Sequence, residues 1–151
     1  MEIRIDDLSG SKTIALLQEH LQDMDQNCPQ QSNHALSLEE LHQTKITFWT
    51  VWSGEELLGC GALKELNPEH GEIKSMRTVL KHRGKGVASK LLEHLLCQAR
   101  QRGYKRVSLE TGTSEFFRPA QRLYAKFGFK PCGPFADYKE DLNSLYMTLE
   151  L

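Results

Sequence analysis

The six residues Arg83-Gly84-Lys85-Gly86-Val87-Ala88 constrain this chain more than any other segment, because of what flanks them. Glu72 to Val79 before them reads as a strand. Gly84 to Arg102 reads as a helix, with Val87, Leu91, Leu92, Leu95 and Leu96 in one apolar stripe and Gly103 as its left-handed stop. The two glycines let the backbone turn tightly, so several main-chain N–H groups converge on an anion at the positive end of the helix. Arg83 and Lys85 add side-chain charge, and Ala88 keeps the first helical turn low enough for a diphosphate to rest on it. The segment therefore predicts a phosphate-binding loop. Two better-known loops fit less well. A Walker A loop needs Lys and then Ser or Thr after its last glycine, and Val87 follows Gly86. A dinucleotide fingerprint needs a third glycine where Ser89 stands, although Glu110 at the end of the next strand would imitate its ribose-binding carboxylate.

The remaining pattern is one alternating α/β unit. Met1 to Asp6 alternates apolar and charged residues as a first strand does, and Ser11 to Met24 carries Ile14, Leu17, Leu21 and Met24 at helical spacing, with Ser9 or Ser11 as N-cap. Cys28 to Asn33 interrupts it, and Ser37-Leu38-Glu39-Glu40 is a capping box that starts a second short helix. Thr47 to Trp52 and Leu57 to Leu66 form a hairpin around Ser53-Gly54-Glu55-Glu56, and Asn67 to Gly71 turns into the strand that precedes the loop. Arg106 to Glu110 follows as a strand, Pro119 opens a helix that runs to Phe127, and Phe129 to Phe135 and Ser144 to Leu151 close the chain as strands. This order predicts an α+β mixed sheet of seven mostly antiparallel strands with four helices, in a single domain over 1–151.

Bulk properties narrow the function classes. Hydrophobic residues at 39% and charged residues at 26% suit a globular domain, and the N-terminus lacks the apolar core of a signal peptide, so a cytoplasmic protein is expected. Net charge is −1, with 19 basic and 20 acidic residues interspersed, which argues against nucleic-acid or membrane partners. For the same reason the Trp49/Trp52 and Phe116/Phe117 pairs read as core or cleft wall rather than a platform for bases. Cys28, Cys60, Cys97 and Cys132 form no Cys-x-x-Cys pair and no His-x-x-x-His clamp accompanies them, so no metal is expected.

Arg-x-x-Gly-x-Gly/Ala between a fourth strand and a third helix resembles the acetyl-CoA diphosphate signature of the GNAT (Gcn5-related N-acetyltransferase) superfamily. A second segment, Ala120-Gln121-Arg122-Leu123-Tyr124-Ala125-Lys126-Phe127-Gly128-Phe129, is similar to the family's "A-x-x-L-Y-x-K-x-G-F" stretch at the expected distance downstream. Gly61-Ala62-Leu63-Lys64-Glu65-Leu66, Glu72-Ile73-Lys74-Ser75-Met76-Arg77-Thr78 and Phe135-Ala136-Asp137-Tyr138 resemble its YsnE-like bacterial branch. The resemblance covers the whole chain and implies the acyl-CoA N-acyltransferase fold, with acetyl-CoA or a related short acyl-CoA as co-substrate. It also implies direct transfer to the amine of a small molecule or peptide in a ternary complex. C-terminal strands of this family often pair across a homodimer, and that too is carried over as an expectation.

By the same resemblance, strands four and five splay apart, so that Met76, Arg77, Thr78 and Val79 offer backbone groups to the pantetheine arm while Arg83, Gly84, Lys85, Gly86, Val87 and Ala88 hold the diphosphate. The Val79 amide would donate to the thioester carbonyl, and Tyr124 would protonate or hydrogen-bond the departing thiolate. An amine with a pKa of about 10.4 is almost wholly protonated at pH 7, so a base is useful, and Glu72, opening strand four, is the candidate. His34, Arg77 and Glu110 are expected on the acceptor side, with Arg77 either holding a substrate carboxylate or paired internally. The rival reading is a non-catalytic acyl-CoA-binding module, in which Tyr124 and Glu72 would have no task.

Overall fold

Gly54, with a left-handed φ of 58°, turns β2 (Ile46–Ser53) back on β3 (Glu56–Asn67), and an Asx turn in which Asn67 Oδ1 accepts from the Glu69 amide (2.9 Å) leads on to β4 (His70–Thr78). A computed structural model describes residues 1–151. In it, β1 (Glu2–Ile5) pairs with β2, and α3 (Val87–Gln101) carries the chain from β4 across to β5 (Arg106–Gly112), which lies parallel to β4. The last strand, β7 (Ser144–Glu150), inserts between β5 and β6 (Lys130–Cys132) and pairs antiparallel with both. The sheet therefore runs β1-β2-β3-β4-β5-β7-β6 with one parallel pair, which is the mixed, mostly antiparallel seven-stranded sheet expected.

α3 buries Val87, Leu91, Leu92, Leu95, Leu96 and Ala99 against one face of this sheet. It lies close because β3 presents glycines there: a Cβ on Gly61 would stand 3.0 Å from Leu91, and one on Gly59 3.0 Å from Val87. The other face is covered by α1 (Ser11–Asn27) and α2 (Leu38–Leu41), whose Leu16, Leu17 and Leu41 pack with Phe48, Leu57 and Cys60. α4 (Arg118–Lys126) follows a short 3-10 turn at Glu115–Phe117.

Several element ends differ from those expected, three of them for reasons local to the chain. α3 starts at Val87 and not at Gly84, because Gly84 and Gly86 take φ of 77° and 83° and keep the loop out of the helix. Neither Ser9 nor Ser11 caps α1: the cap is Gly10 with no side-chain bond, and Ser9 Oγ donates to Asp7 instead (2.6 Å). The sixth strand is only Lys130–Cys132, since Pro131 cannot donate to a ladder and Gly133-Pro134 ends the pairing. The capping box at Ser37 and Glu40 is present with both of its hydrogen bonds.

What positions the site is a local failure of the sheet. β4 and β5 pair only at His70–Arg106, Gly71–Val107 and Glu72–Ser108. Beyond Glu72 the β3–β4 register slips by one residue opposite Cys60 and Ala62, and Ser75 takes a φ of 56°, so β4 bends away from β5. The strands part in the middle of the molecule.

Candidate functional site

The gap left by the parting strands is a cleft of about 490 Å³ between the edge of β4, the loop at Arg83–Gly86 and α4. Met76, Arg77 and Thr78 line one wall, Arg83, Gly84, Gly86, Val87 and Ala88 the floor, and Tyr124 the far end. Gly86 is the left-handed N-cap of α3 and offers no side-chain acceptor, so the first-turn amides of the helix have no partner from a cap. A Cβ at Gly84 or Gly86 would meet nothing within 4 Å, so the space above the loop is open. An array of unpaired amides at a positive helix end, facing open space beside Arg83, fits a diphosphate. Behind the loop, His82 is fixed by Glu56, with Nε2 and Oε1 2.7 Å apart, and this ties the loop to the β2–β3 hairpin.

Two of the residues assigned to this cleft have other engagements. The Val79 amide donates to the Leu58 carbonyl (2.8 Å) and is not free for a thioester. Since N–H groups alternate sides along a strand, the Thr78 amide points to the opposite edge, the one that faces β5 across the gap. Lys85 is exposed, does not line the cleft, and places Nζ 3.4 Å from His82 Nδ1.

A second, smaller cavity of about 110 Å³ lies on the other side of Tyr124. Glu72 and Lys74 from β4, Glu110 from β5, and Cys28, Ser32 and His34 from the segment after α1 surround it. The two cavities meet where both are lined by Tyr124, Met76, His20 and Ala120. Tyr124 is nearly fully buried, its hydroxyl has no hydrogen-bond partner within the chain, and burial raises its pKa above the usual phenol range. It is a neutral O–H at the junction.

Glu72 is not at the solvated end of its strand but is buried with 2% of its surface exposed. The Tyr138 hydroxyl donates to its Oε2, and Lys74 Nζ approaches the same oxygen at 3.2 Å while donating to Tyr138 at 2.7 Å. Burial, with the charge of Glu72 second, holds the Tyr138 phenol well above its ordinary pKa. Glu110 faces the same cavity, and burial pushes its carboxyl up to about 7. The His34 ring meets Tyr138 edge-on at 5.0 Å between centroids, and burial lowers its pKa.

Arg77 does not reach this cavity. Its guanidinium donates to Glu19 (2.7 Å) and Asp23 (2.6 Å) on α1, pinning that helix to the bent strand, so the internal pairing holds and the substrate-carboxylate alternative does not. The structure thus brings Tyr124, Glu72, His34 and Glu110 to one place and leaves Arg77 outside it. Tyr138 and Lys74 were missed as site residues. Lys74 had a signal, because it stands two residues from Glu72 and so on the same face of the strand. Tyr138 had none in its spacing, since a loop after β6 carries it to β4.

The family model described as "Acetyltransferase (GNAT) family" matches residues 13–129. The chain is 55% identical over 151 residues to the uncharacterized N-acetyltransferase YsnE of Bacillus subtilis (strain 168), spanning 100% of both chains. It is 46% identical over 149 residues to the uncharacterized N-acetyltransferase YedL of Escherichia coli (strain K12), covering 99% of this chain and 94% of that one. A solved GNAT family acetyltransferase from Elizabethkingia anophelis, with acetyl-CoA bound, has the same fold at a TM-score of 0.73 and 20% identity, covering 99% of this chain and 97% of that one.

Proposed function

The chain belongs to the acetyltransferase (GNAT) family and is an acyl-CoA-dependent N-acetyltransferase, and from this premise we propose that it transfers an acetyl or other short acyl group from its CoA thioester directly to a primary amine. The observation that carries this reading is the junction at Tyr124. A cleft whose floor fits a diphosphate and a separate polar cavity open onto the same buried phenol, which is the arrangement a donor and an acceptor need to meet without water between them.

In this reading the first-turn amides of α3, with Gly84, Gly86 and Arg83, hold the donor's diphosphate. The free edge of β4 at Met76 and Thr78 pairs with its pantetheine arm, and the Thr78 amide takes the place expected of Val79 as donor to the thioester oxygen, where negative charge grows during attack. Tyr124, neutral and unpaired, supplies a proton to the sulfur as the C–S bond breaks. The second cavity holds the amine, whose surplus proton passes to a carboxylate of its wall, and no cysteine is needed as an acyl carrier.

Titration calorimetry with acetyl-CoA, followed by thiol release in the presence of a panel of primary amines, tests the proposal. Heat on binding together with amine-dependent thiol release is expected. Binding without release for any amine would leave only an acyl-CoA-binding module, and no binding would remove the reading.

A further inference from the structure

Two carboxylates face the acceptor cavity, and of the two only Glu110 has no side-chain partner within the chain. We propose that Glu110, and not Glu72, is the catalytic base that takes the acceptor's ammonium proton; the inference rests on the acyl-transfer reading above.

The first ground is hydrogen bonding. Oε2 of Glu72 already receives the Tyr138 hydroxyl, and the Lys74 ammonium beside it neutralises its charge. Glu110 has no ion pair and no hydrogen-bond donor of good geometry within the chain. Even the Ser144 hydroxyl, near enough to draw its pKa down somewhat, is left without a partner.

The second ground is position. Glu110 stands on β5 two residues past the last β4–β5 pair, Glu72–Ser108, where the strands have separated. On its other side its backbone pairs with Tyr146 of β7, so the residue is held by the sheet while its side chain lines the cavity together with Tyr124. Its sheet neighbour Leu109 packs in the α3 core, which fixes Glu110 on the opposite face.

The third ground is charge. The groups that face Glu110 are Glu72 and Lys74 from β4, Cys28 at the end of α1, His34 from the following segment, and Asp141 and Tyr138 from the loop before β7. Tyr146 and Ser144 from β7 and Tyr124 from α4 complete the set. Of the groups that line the cavity, Lys74 is the one amine against the carboxyls of Glu72 and Glu110, Asp141 lying outside it, and His34 is held toward its neutral form by burial and Lys74. The excess is negative, so the cavity favours an ammonium over a carboxylate. Burial also leaves Glu110 with a pKa of about 7, the range in which a base both takes a proton and gives it back to water.

One ammonium proton passes to the Glu110 carboxylate, and the nitrogen lone pair then forms the C–N bond at the thioester carbon. When the C–S bond breaks its electron pair stays on sulfur. The second surplus proton of the nitrogen replaces the one that Tyr124 gives to that sulfur, and Glu110 returns its proton to water as the amide leaves.

The test uses the full chain, acetyl-CoA and the best acceptor from a panel of spermidine, histamine, glycinamide and benzylamine. For Glu110→Gln, kcat is expected to fall about 100-fold with the acetyl-CoA affinity within about two-fold, and Glu110→Asp is expected to recover part of the rate. In the wild type, kcat/KM should show a rising limb near pH 7 that Glu110→Gln abolishes. Wild-type turnover with the limb intact in Glu110→Gln overturns the assignment while leaving acyl transfer standing; a wild type that releases no thiol overturns both. A readout independent of the acceptor is carboxyl NMR of protein labelled with 13C at glutamate Cδ: a resonance titrating near pH 7 that vanishes in Glu110→Gln is expected, and its absence refutes the role.

Discussion

The Tyr138 hydroxyl donates to Glu72 Oε2 and accepts from Lys74 Nζ, so one residue of a C-terminal loop closes a buried ion pair in the middle of the sheet. With Lys74 and Glu72 side chains 9% and 3% exposed, water is poorly placed to replace that hydroxyl. Tyr138→Phe should therefore cost about 1–3 kcal/mol, read as a fall in Tm of roughly 5 °C. An unchanged Tm would mean that water already serves the pair.

Tyr124 presents the contrasting case. Its hydroxyl has no partner in the chain, so Tyr124→Phe should leave the unfolding free energy, measured with urea, within about 0.5 kcal/mol of wild type. Proton supply to the leaving sulfur should suffer, lowering kcat about ten-fold or more with acetyl-CoA affinity almost unchanged. Equal turnover in the two proteins would remove the assigned role.

Gly86 isolates conformation from packing. A Cβ there meets nothing within 4 Å, yet φ is 83°, so the penalty for a side chain is strain and not a clash. Gly86→Val should weaken acetyl-CoA binding at least about ten-fold in calorimetry and cost roughly 1–2 kcal/mol of stability. Gly86→Asn, which tolerates the left-handed region, should keep most of both. Equal losses for the two variants would point to steric exclusion of the ligand.

Arg77 should behave as a structural residue. Its side chain is 4% exposed and pairs with Glu19 and Asp23, which are themselves only partly covered, so Arg77→Met should lower stability by about 2–3 kcal/mol in urea unfolding. Adding Glu19→Gln and Asp23→Asn to that variant should recover part of the loss, because the stranded carboxylates go with it.

Two buried groups give stability opposite slopes with pH. His20 is lowered to about 4 by burial, with Arg77's charge adding to it, so it is neutral in the fold and charges when unfolded below pH 6.5. Its contribution is intact above pH 6.5 and is lost as pH falls from there towards 4. Glu110, raised to about 7 by burial, works the other way: the fold keeps it protonated while the unfolded chain ionises it, so stability declines as pH rises from 4.5 through 7. Glu110→Gln should therefore stabilise the protein by roughly 2 kcal/mol at pH 8 and by little at pH 4, in the same variant that loses activity. His20→Gln should flatten the loss between pH 6.5 and 4. Denaturant midpoints across pH 4 to 8 check both signs.

Much of this molecule follows from local order in the chain. The apolar stripe from Val87 to Leu96 makes α3, Ser37 and Glu40 cap α2, and Gly84 and Gly86 turn the chain between a strand and that helix into a loop that an anion would fit, because periodicity, capping and left-handed turns are properties of short segments. The order of strands and helices could be read directly, and the family from two segments that resemble its signatures. Which groups are free could not. The Val79 amide is taken by Leu58 because β3 lies alongside it, Arg77 is taken by α1, and Glu72 is covered by a tyrosine 66 residues away, while Glu110 is left bare because β4 bends off at Ser75. A side chain's chemistry depends on what is beside it in space, and here burial and long-range pairing, invisible in residue spacing, separate two glutamates that look alike in the sequence into a structural one and a reactive one.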